Sequence, residues 1–467
     1  MRTNLTHFVV AIMRGKLCIF AAAIALLPAV GRSQEYTITD LGTLGGTFSI
    51  ATSVNNKGQV TGQSTTATQK QANGQADPFL YSNGHMIDLG NFGGSSGNTG
   101  PFNPIGNVAN GVNDNGVVTG VAFTADGNPH PFLWNGGPLQ DLAPGQTGAA
   151  FGINASNAAA GFTGFGNDLG GDLEGQGTVF NSVGNFEPVP IPPSLSIGSS
   201  VAINNAGQIV GNCSTDEDTV AYGCLATGNS AIILPPVSSS YSGTLAYAIN
   251  TAGNTCGDSL NDFEDATATV WIGSTPVNLG RPPHTQASEC KGMDNYGQYV
   301  GDANPYESNQ VGVVYDTLHG ARDLNQLGPR GPHGPIGPRG EHLVIQNAVA
   351  LSDTGYIAAD CVYSIDGMRA CLLTPNLVVV LHDNVLTLTE TLHECIPCQA
   401  KLASDARSLP KSLDGLTAGE RERVVSTVDR IGEEIESLER DRKISAAKAL
   451  LVLHDAELVL AAIDRRE

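Results

Sequence analysis

The chain is 467 residues long and 41% hydrophobic, enough to bury a large core, while 57 glycines and an aromatic content of 6% favour many short strands and tight turns over long helices. Its 45 acidic against 24 basic residues give a formal net charge of −21, which repels polyanions and excludes nucleic acid as a natural partner. No His-Glu-x-x-His or phosphate-cradling Gly-x-x-x-x-Gly-Lys-Ser/Thr occurs, so neither of these enzyme signatures directs the reading.

The first element, residues 1–33, reads as a secretory signal. Arg2, His7, Arg14 and Lys16 precede or flank the apolar run "LCIFAAAIALLPAV", and Gly31 and Ser33 are small enough for a peptidase site. The run is 14 residues long, short for a membrane span of about 20. Export implies a periplasmic or extracellular location with no span in the mature chain. Removal of Cys18 with the signal leaves eight cysteines, an even number that suggests disulfides in an oxidising compartment.

From there a pattern close to Ala-x-x-Ile/Val-Asn-x-x-Gly-Gln-Val-x-Gly recurs seven times: "ATSVNNKGQVTG" from Ala51, "ANGVNDNGVVTG" from Ala109, "AFGINASNAAAG" from Ala150, "SVAINNAGQIVG" from Ser200, "AYAINTAGNTCG" from Ala246, "CKGMDNYGQYVG" from Cys290 and "NAVALSDTGYIAA" from Asn347. The turn residues Gly58, Gly116, Asn157, Gly207, Gly253, Gly297 and Gly355 stand 41 to 58 residues apart, the propeller range. In each copy a buried strand runs into Asn-x-x-Gly, whose Asn side chain bonds its own turn and whose Gly accepts positive φ, and a second strand returns. A third strand follows, as in "PFLW" at Pro131 and "TVWI" at Thr269, then a fourth, as in "MIDLG" at Met86 and "PVNLG" at Pro276. Four antiparallel strands in each of seven units predict an all-β fold, a seven-bladed β-propeller over 34–384. Either "YTITDLG" at Tyr36 or "NLVVVL" at Asn376 supplies the fourth strand that closes the ring.

The Asn-x-x-Gly-Gln-Val-x-Gly core, "PHPFLWNGG" at Pro129 and the runs "DLGTLGG" at Asp40 and "DLGNFGG" at Asp88 resemble the bacterial extracellular HAF-repeat family over about residues 36–381. The family's His-Ala-Phe stands here as His130-Pro131-Phe132 or Asp77-Pro78-Phe79. The resemblance implies a secreted repeat protein of poorly defined function and carries over no catalytic residues.

Cys213 with Cys224 and Cys361 with Cys371 occupy matching second-strand and third-strand positions, as a disulfide inside one blade requires, and Cys256 with Cys290 are placed to join blades five and six. Directly after the second-strand glycine position, blades five, six and seven place Asp258, Asp302 and Asp360, where blades one to four place Gln63, Val121, Phe162 and Asn212. With Asp262, Glu264, Asp265 and Glu307 close by, these acids form a candidate cation or ligand site on the loop face, with calcium as the candidate cofactor. Paired carboxylates there also suit glycoside hydrolysis. Between the sixth and seventh units, "GPRGPHGPIGPRG" (328–340) holds four Gly-Pro-X triplets. That is too short and too tethered for a triple helix, so it is read as a polyproline II loop that turns Arg330, His333 and Arg339 outward to a partner.

After residue 385 helical spacing takes over. Thr417 and Glu420 form a capping box ahead of Val424, Val428, Ile431, Ile435 and Leu438, and a second helix from about 445 to 465 carries Leu450, Leu453, Leu460 and Ile463, so that 385–467 is expected to be a short α-helical hairpin with these residues in its seam or packed on the propeller. In "HECIPC", Cys395 and Cys398 read as a local disulfide, with metal ligation beside His393 or thiol exchange as alternatives. The whole reads as an exported monomeric binding or scaffold module for a protein or glycan acting through the loop face of blades five to seven. A carbohydrate-active or other hydrolytic enzyme and a structural cell-envelope protein are the alternatives.

Overall fold

A computed structural model describes residues 34–466 apart from 68–75, 95–105, 165–174, 196, 215–219, 262–265, 305–309, 332–333, 365–366 and 394. The export signal read at 1–33 lies outside these. The fold is an all-β propeller arrangement followed by helices. Repeats one, two, five, six and seven each form a separate four-stranded antiparallel sheet. Repeats three and four share one eight-stranded sheet, joined by a single parallel bridge between Gln176 and Gly198. Five blades therefore stand apart where the sequence led us to expect seven.

The ring is closed by the N-terminal strand. Tyr36–Asp40 pairs antiparallel with Gly367–Pro375 and completes the sheet of repeat seven. Tyr36 and Ile38 point into the core, while Thr37 is exposed, the alternation of a half-buried strand. Arg322 fastens this strand to repeat six, with Nη1 2.8 Å from Glu35 and Nη2 3.2 Å from Asp316. The rival segment at Asn376 is helical: α1 (Leu377–Glu390) starts directly after the last strand, ahead of the boundary expected at 385. Val378, Val379, Val380 and Leu381 are all buried, so their apolar run faces protein all round, and packing overrides the β preference of valine.

Each first strand carries a register shift at the same place, between Ala51 and Ser53 in repeat one and between Cys290 and Gly292 in repeat six, and repeats one and seven carry a second shift nearer the strand start. The extra residue of this bulge is Thr52, Asn110, Phe151, Val201, Tyr247, Lys291 or Val349. A bulge bends the strand and re-aims that side chain. It also presses the first strand onto the second, so that a Cβ on Gly257 would sit 1.9 Å from the Leu245 carbonyl oxygen. The turn residues adopt the left-handed conformation the sequence called for, including Asn157 at φ 68.

The segment 328–340 is a small hairpin rather than a polyproline II loop. Arg330–Gly331 pairs with Gly334–Pro335, and Ile336 N–H donates to the Pro329 carbonyl at 3.0 Å. The glycines leave room for the two backbones to pair, and the prolines fall where their missing N–H breaks few bonds.

Among the described residues four α-helices, not two, follow the last strand: α1, α2 (Ile396–Ser408), α3 (Ala418–Arg440) and α4 (Ala446–Asp464). The capping box forms, and Val424, Val428, Ile431, Ile435 and Leu438 face a common core with Leu381, Val385, Leu388 and Val452. Leu450, expected in the seam, is 46% exposed, because α4 packs against both α1 and α3 and turns Ala449, Val452 and Ala456 inward instead. The array is tied to repeats six and seven by His319 against Thr387 at 2.9 Å and by His454, whose Nε2–H donates to the Asp353 carbonyl at 2.6 Å.

The bulge makes a test. Gly257→Ala should cost about 1–3 kcal/mol of stability, the usual range for overpacking, whereas Gly137→Ala, with nothing within 4 Å of the added Cβ, should be near neutral. Denaturant midpoints compare the two, and equal midpoints would dismiss the close approach.

Candidate functional site

The repeat asparagines build a ring around the propeller axis. Asn204 shows the unit: its Oδ1 accepts from the N–H groups of Ala206 and Gln208, closing its own turn, while its Nδ2 donates to the Asn250 carbonyl of the next repeat at 3.0 Å. The same donation runs from Asn55 to Asn113, Asn113 to Asn154, Asn154 to Asn204 and Asn250 to Asp294. Asp294 has the acceptor for its own turn but no donor to pass on. What remains is the bond that the next residue makes in other repeats too: Asn295 gives its N–H and Nδ2 to the two Asp353 oxygens at 3.0 and 2.7 Å, as Asn56 does to Asp114. Thr354 then closes the circle on the Asn56 carbonyl at 2.9 Å.

Inside this ring lies a pocket of ≈ 220 Å³ lined by turn residues from all seven repeats, among them Asn56, Asp114, Asn205, Thr251, Asn295 and Asp353. Its wall carries amide side chains and two carboxylates, each already accepting from a neighbouring Asn, with an apolar residue from every repeat, from Val54 in the first to Leu351 in the seventh. Beside it Asp294 is buried, and burial pushes its pKa up to about 7 against the pull of the Gln298 and Tyr296 N–H groups. His454 stacks on the Tyr296 ring at the rim, with centroids 3.3 Å apart. Sequence reading took these asparagines as turn formers and missed the ring. Their recurrence at one position in successive repeats was the available signal.

The acids expected on the loop face are brought together, but inside the protein. Asp258, Asp302 and Asp360 are 1%, 0% and 7% exposed. Asp258 accepts the Cys290 N–H at 3.0 Å and Asp360 the Ala51 N–H at 2.9 Å, so each pins its sheet to the first strand of the next repeat, as Asn212 does to Ala246. Lys291 gathers the rest. The bulge aims its ammonium to 2.8 Å from Asp302, 3.0 Å from Glu289 and 3.2 Å from Asn347, whose own amide donates to Asp360. Gln310 also donates to Asp302. The positive charge this acidic sector calls for thus comes from the chain itself. Burial opposes the charge on Lys291, yet Asp302 and Glu289 hold its pKa above the ordinary lysine value. Burial, then Glu289, pushes Asp258 well above the usual carboxylate range. Burial lifts Asp360 to about 6 and outweighs Lys291 in raising Glu289. Lys291, Glu289 and Asn347 escaped the sequence reading. The signal was the lysine's place at the bulge, where the other repeats carry uncharged residues.

Of the remaining candidates, Asp262 and His333 lie outside the described residues, with Glu264, Asp265 and Glu307. Arg330 is exposed on its hairpin. Arg339 leans back on the propeller, 3.6 Å from both Asp40 and Glu341. All four disulfides form as expected: Cys213–Cys224, Cys256–Cys290, Cys361–Cys371 and Cys395–Cys398. Four such bonds fit an oxidising compartment. Among the described residues, no group of three or more His, Cys, Asp or Glu could hold a metal ion, and no helix is long and apolar enough to cross a membrane.

No protein-family model and no curated protein matches the chain. Among solved structures it is similar to a puromycin-hydrolysing peptidase of Mycobacterium tuberculosis, at 12% identity and a TM-score of 0.35, over 71% of this chain. The match spans 58% of the peptidase chain, a correspondence too loose to bear on activity.

Two variants test these sites. Asp294 has a folded pKa near 7, above an unfolded value near 4, so the stability it confers is full below about pH 4 and is lost as pH rises through 7. Asp294→Asn removes that loss and restores a donor toward repeat seven, so its gain in stability should be about 2 kcal/mol larger at pH 8 than at pH 5. A gain independent of pH would contradict the assignment. Lys291→Met strands its buried carboxylates and should cost about 3–5 kcal/mol, with partial recovery when Asp302→Asn is added. A loss below about 0.5 kcal/mol on urea unfolding would show that Lys291 does not hold the cluster.

Proposed function

We propose that this chain is an exported binding module whose ligand enters the axial pocket. The observation that carries the reading is the pocket wall, to which every repeat contributes a polar turn. Amide groups and two hydrogen-bonded carboxylates suit a neutral, hydroxyl-rich ligand, as in a glycan, better than an anion or an apolar molecule. Export is supported by the apolar N-terminal run, by the disulfides and by the HAF-repeat resemblance, whose implied role as a secreted repeat protein we adopt.

We take the shared sheet of repeats three and four to be two blades in lateral contact, making a ring of seven. The single bridge between them and the passage of the hydrogen-bond ring through seven turns support this count. A density map showing six sheets around the axis would overturn it. Binding is favoured over hydrolysis because Asp258, Asp302 and Asp360 are engaged with backbone N–H groups, Lys291 and Gln310, and a general acid–base pair needs carboxylates free to meet substrate.

The test is a glycan screen on the mature protein with products monitored. We expect stoichiometric binding without turnover, weakened at least tenfold by Asp114→Asn with Asp353→Asn. Release of products, or binding indifferent to that double variant, would reject the reading.

A further inference from the structure

The four disulfides are not alike. Cys213, Cys224, Cys256, Cys290, Cys361 and Cys371 are at most 5% exposed, sealed inside the propeller. Cys395 and Cys398 are half-buried on the helical array. Cys395 is the N-cap of α2 with no capping side-chain bond, and Cys398 lies in the first turn, where it packs against the helical core. Between them Ile396 is 72% exposed and Pro397 is exposed as well. The Lys443 ammonium reaches to 3.9 Å from the Cys395 sulfur, while also standing 3.5 Å from Asp441.

We propose that Cys395–Cys398 is a thiol–disulfide exchange site that takes a protein or peptide dithiol as its partner. The chemistry follows from the placement. A thiolate at a helix N-terminus meets the positive end of the macrodipole, and Lys443 adds a full charge, so Cys395 is stabilised as a thiolate and is a good leaving group. In the oxidised protein, a partner thiolate attacks the Cys395 sulfur. The Cys395–Cys398 bond breaks, and Cys398 departs as a thiolate and takes up a proton. The partner's second thiolate then attacks its own sulfur in the mixed disulfide and expels Cys395. The partner loses two electrons and two protons and gains a disulfide, and this protein ends as the dithiol. Exposed Ile396 and Pro397 give the partner an apolar contact beside the reacting sulfur. The propeller's three disulfides cannot take part, because no thiolate reaches them without unfolding.

The experiment has three arms. First, the mature protein is titrated with dithiothreitol and the thiols are alkylated with a maleimide. Two should appear at reductant levels that leave the other six cysteines paired, and both should map to Cys395 and Cys398. Second, the oxidised protein is mixed with an equimolar reduced dithiol peptide. One peptide disulfide should form per protein, and none with Cys395→Ser, Cys398→Ser. Third, the single thiol of Cys398→Ser is timed against glutathione disulfide beside a free peptide of residues 393–400 carrying the same change. A thiol pKa lowered toward neutrality raises the thiolate fraction at pH 7 more than it lowers nucleophilicity, so the protein thiol should react about threefold faster than the free peptide. Lys443→Met should reduce that advantage. The dithiothreitol arm and the oxidised-protein mixture use the unaltered protein, so a misfolded variant cannot explain their failure. Reduction of all four disulfides together, no oxidation of the peptide, or a rate equal to that of the free peptide would each overturn the proposal.

Discussion

The propeller depends on a side chain that must accept and donate at once. Each repeat asparagine gives its oxygen to the N–H groups of its own turn and its amide to the carbonyl of the next repeat. Asn carries an acceptor and a donor on separate atoms of one short stem, so the two bonds can point in different directions. The consequence is coupling: the bond that shapes one hairpin also fixes where the next hairpin sits. A propeller buries its sheets only against neighbours, so such a link turns local turn chemistry into ring geometry. The sixth repeat shows the requirement by breaking it. Asp294 keeps the turn but not the link, and the contact to repeat seven is left to the adjacent Asn295–Asp353 pair, the counterpart of Asn56–Asp114 in repeat one.

A second constraint acts farther out along the same strands. The bulge in every first strand forces close contact with the second strand, which is why glycine recurs there with a carbonyl where its Cβ would be. It also tips one side chain per repeat sideways. Thr52 and Asn110 use that direction to reach the carbonyls of Ala109 and Ala150 in the next repeat. Lys291 uses it to enter a space occupied by four carboxyl groups, those of Asp258, Glu289, Asp302 and Asp360, and joins repeats six and seven through Asn347. With one cation among them, burial keeps Asp258, Glu289 and Asp360 above the normal carboxylate range.

What the sequence disclosed, and what it hid, divides along these lines. Turn glycines, the substituting Asn157 and the disulfides within repeats four and seven were legible because each is a local fact repeated at a nearly fixed offset, and Cys256–Cys290 followed as the pair left to join repeats five and six. The equivalence of Asp258, Asp302 and Asp360 was legible for the same reason. Their burial was not, since it arises from the neighbouring repeat's strand lying against them. Ring closure was hidden because "YTITD" and "NLVVVL" both read as strands; what separates them is whether apolar residues alternate or run on, and only the presence of helices around α1 makes the continuous run helical. Four triplets of Gly-Pro-X suggested an extended coil, yet two paired backbones form wherever glycines face each other across a short turn.

The helices are a third layer of the structure. Burial holds the His454 pKa below its usual value, so the ring stays neutral. In that state it donates through Nε2 to the Asp353 carbonyl and lies flat on Tyr296. Asp353 both receives this helical contact and accepts the Asn295 bonds, which remain where repeat six lacks the asparagine donor. Next to His454 on α4, Asp455 is buried against Asn384 of α1 and pushed up to about 8, chiefly by burial. Glu457 on the same helix adds a charge that acts on both Tyr296 and His454. Through Asp353, which lines the pocket, the wall formed by repeat seven is joined to α4, a segment far away in sequence.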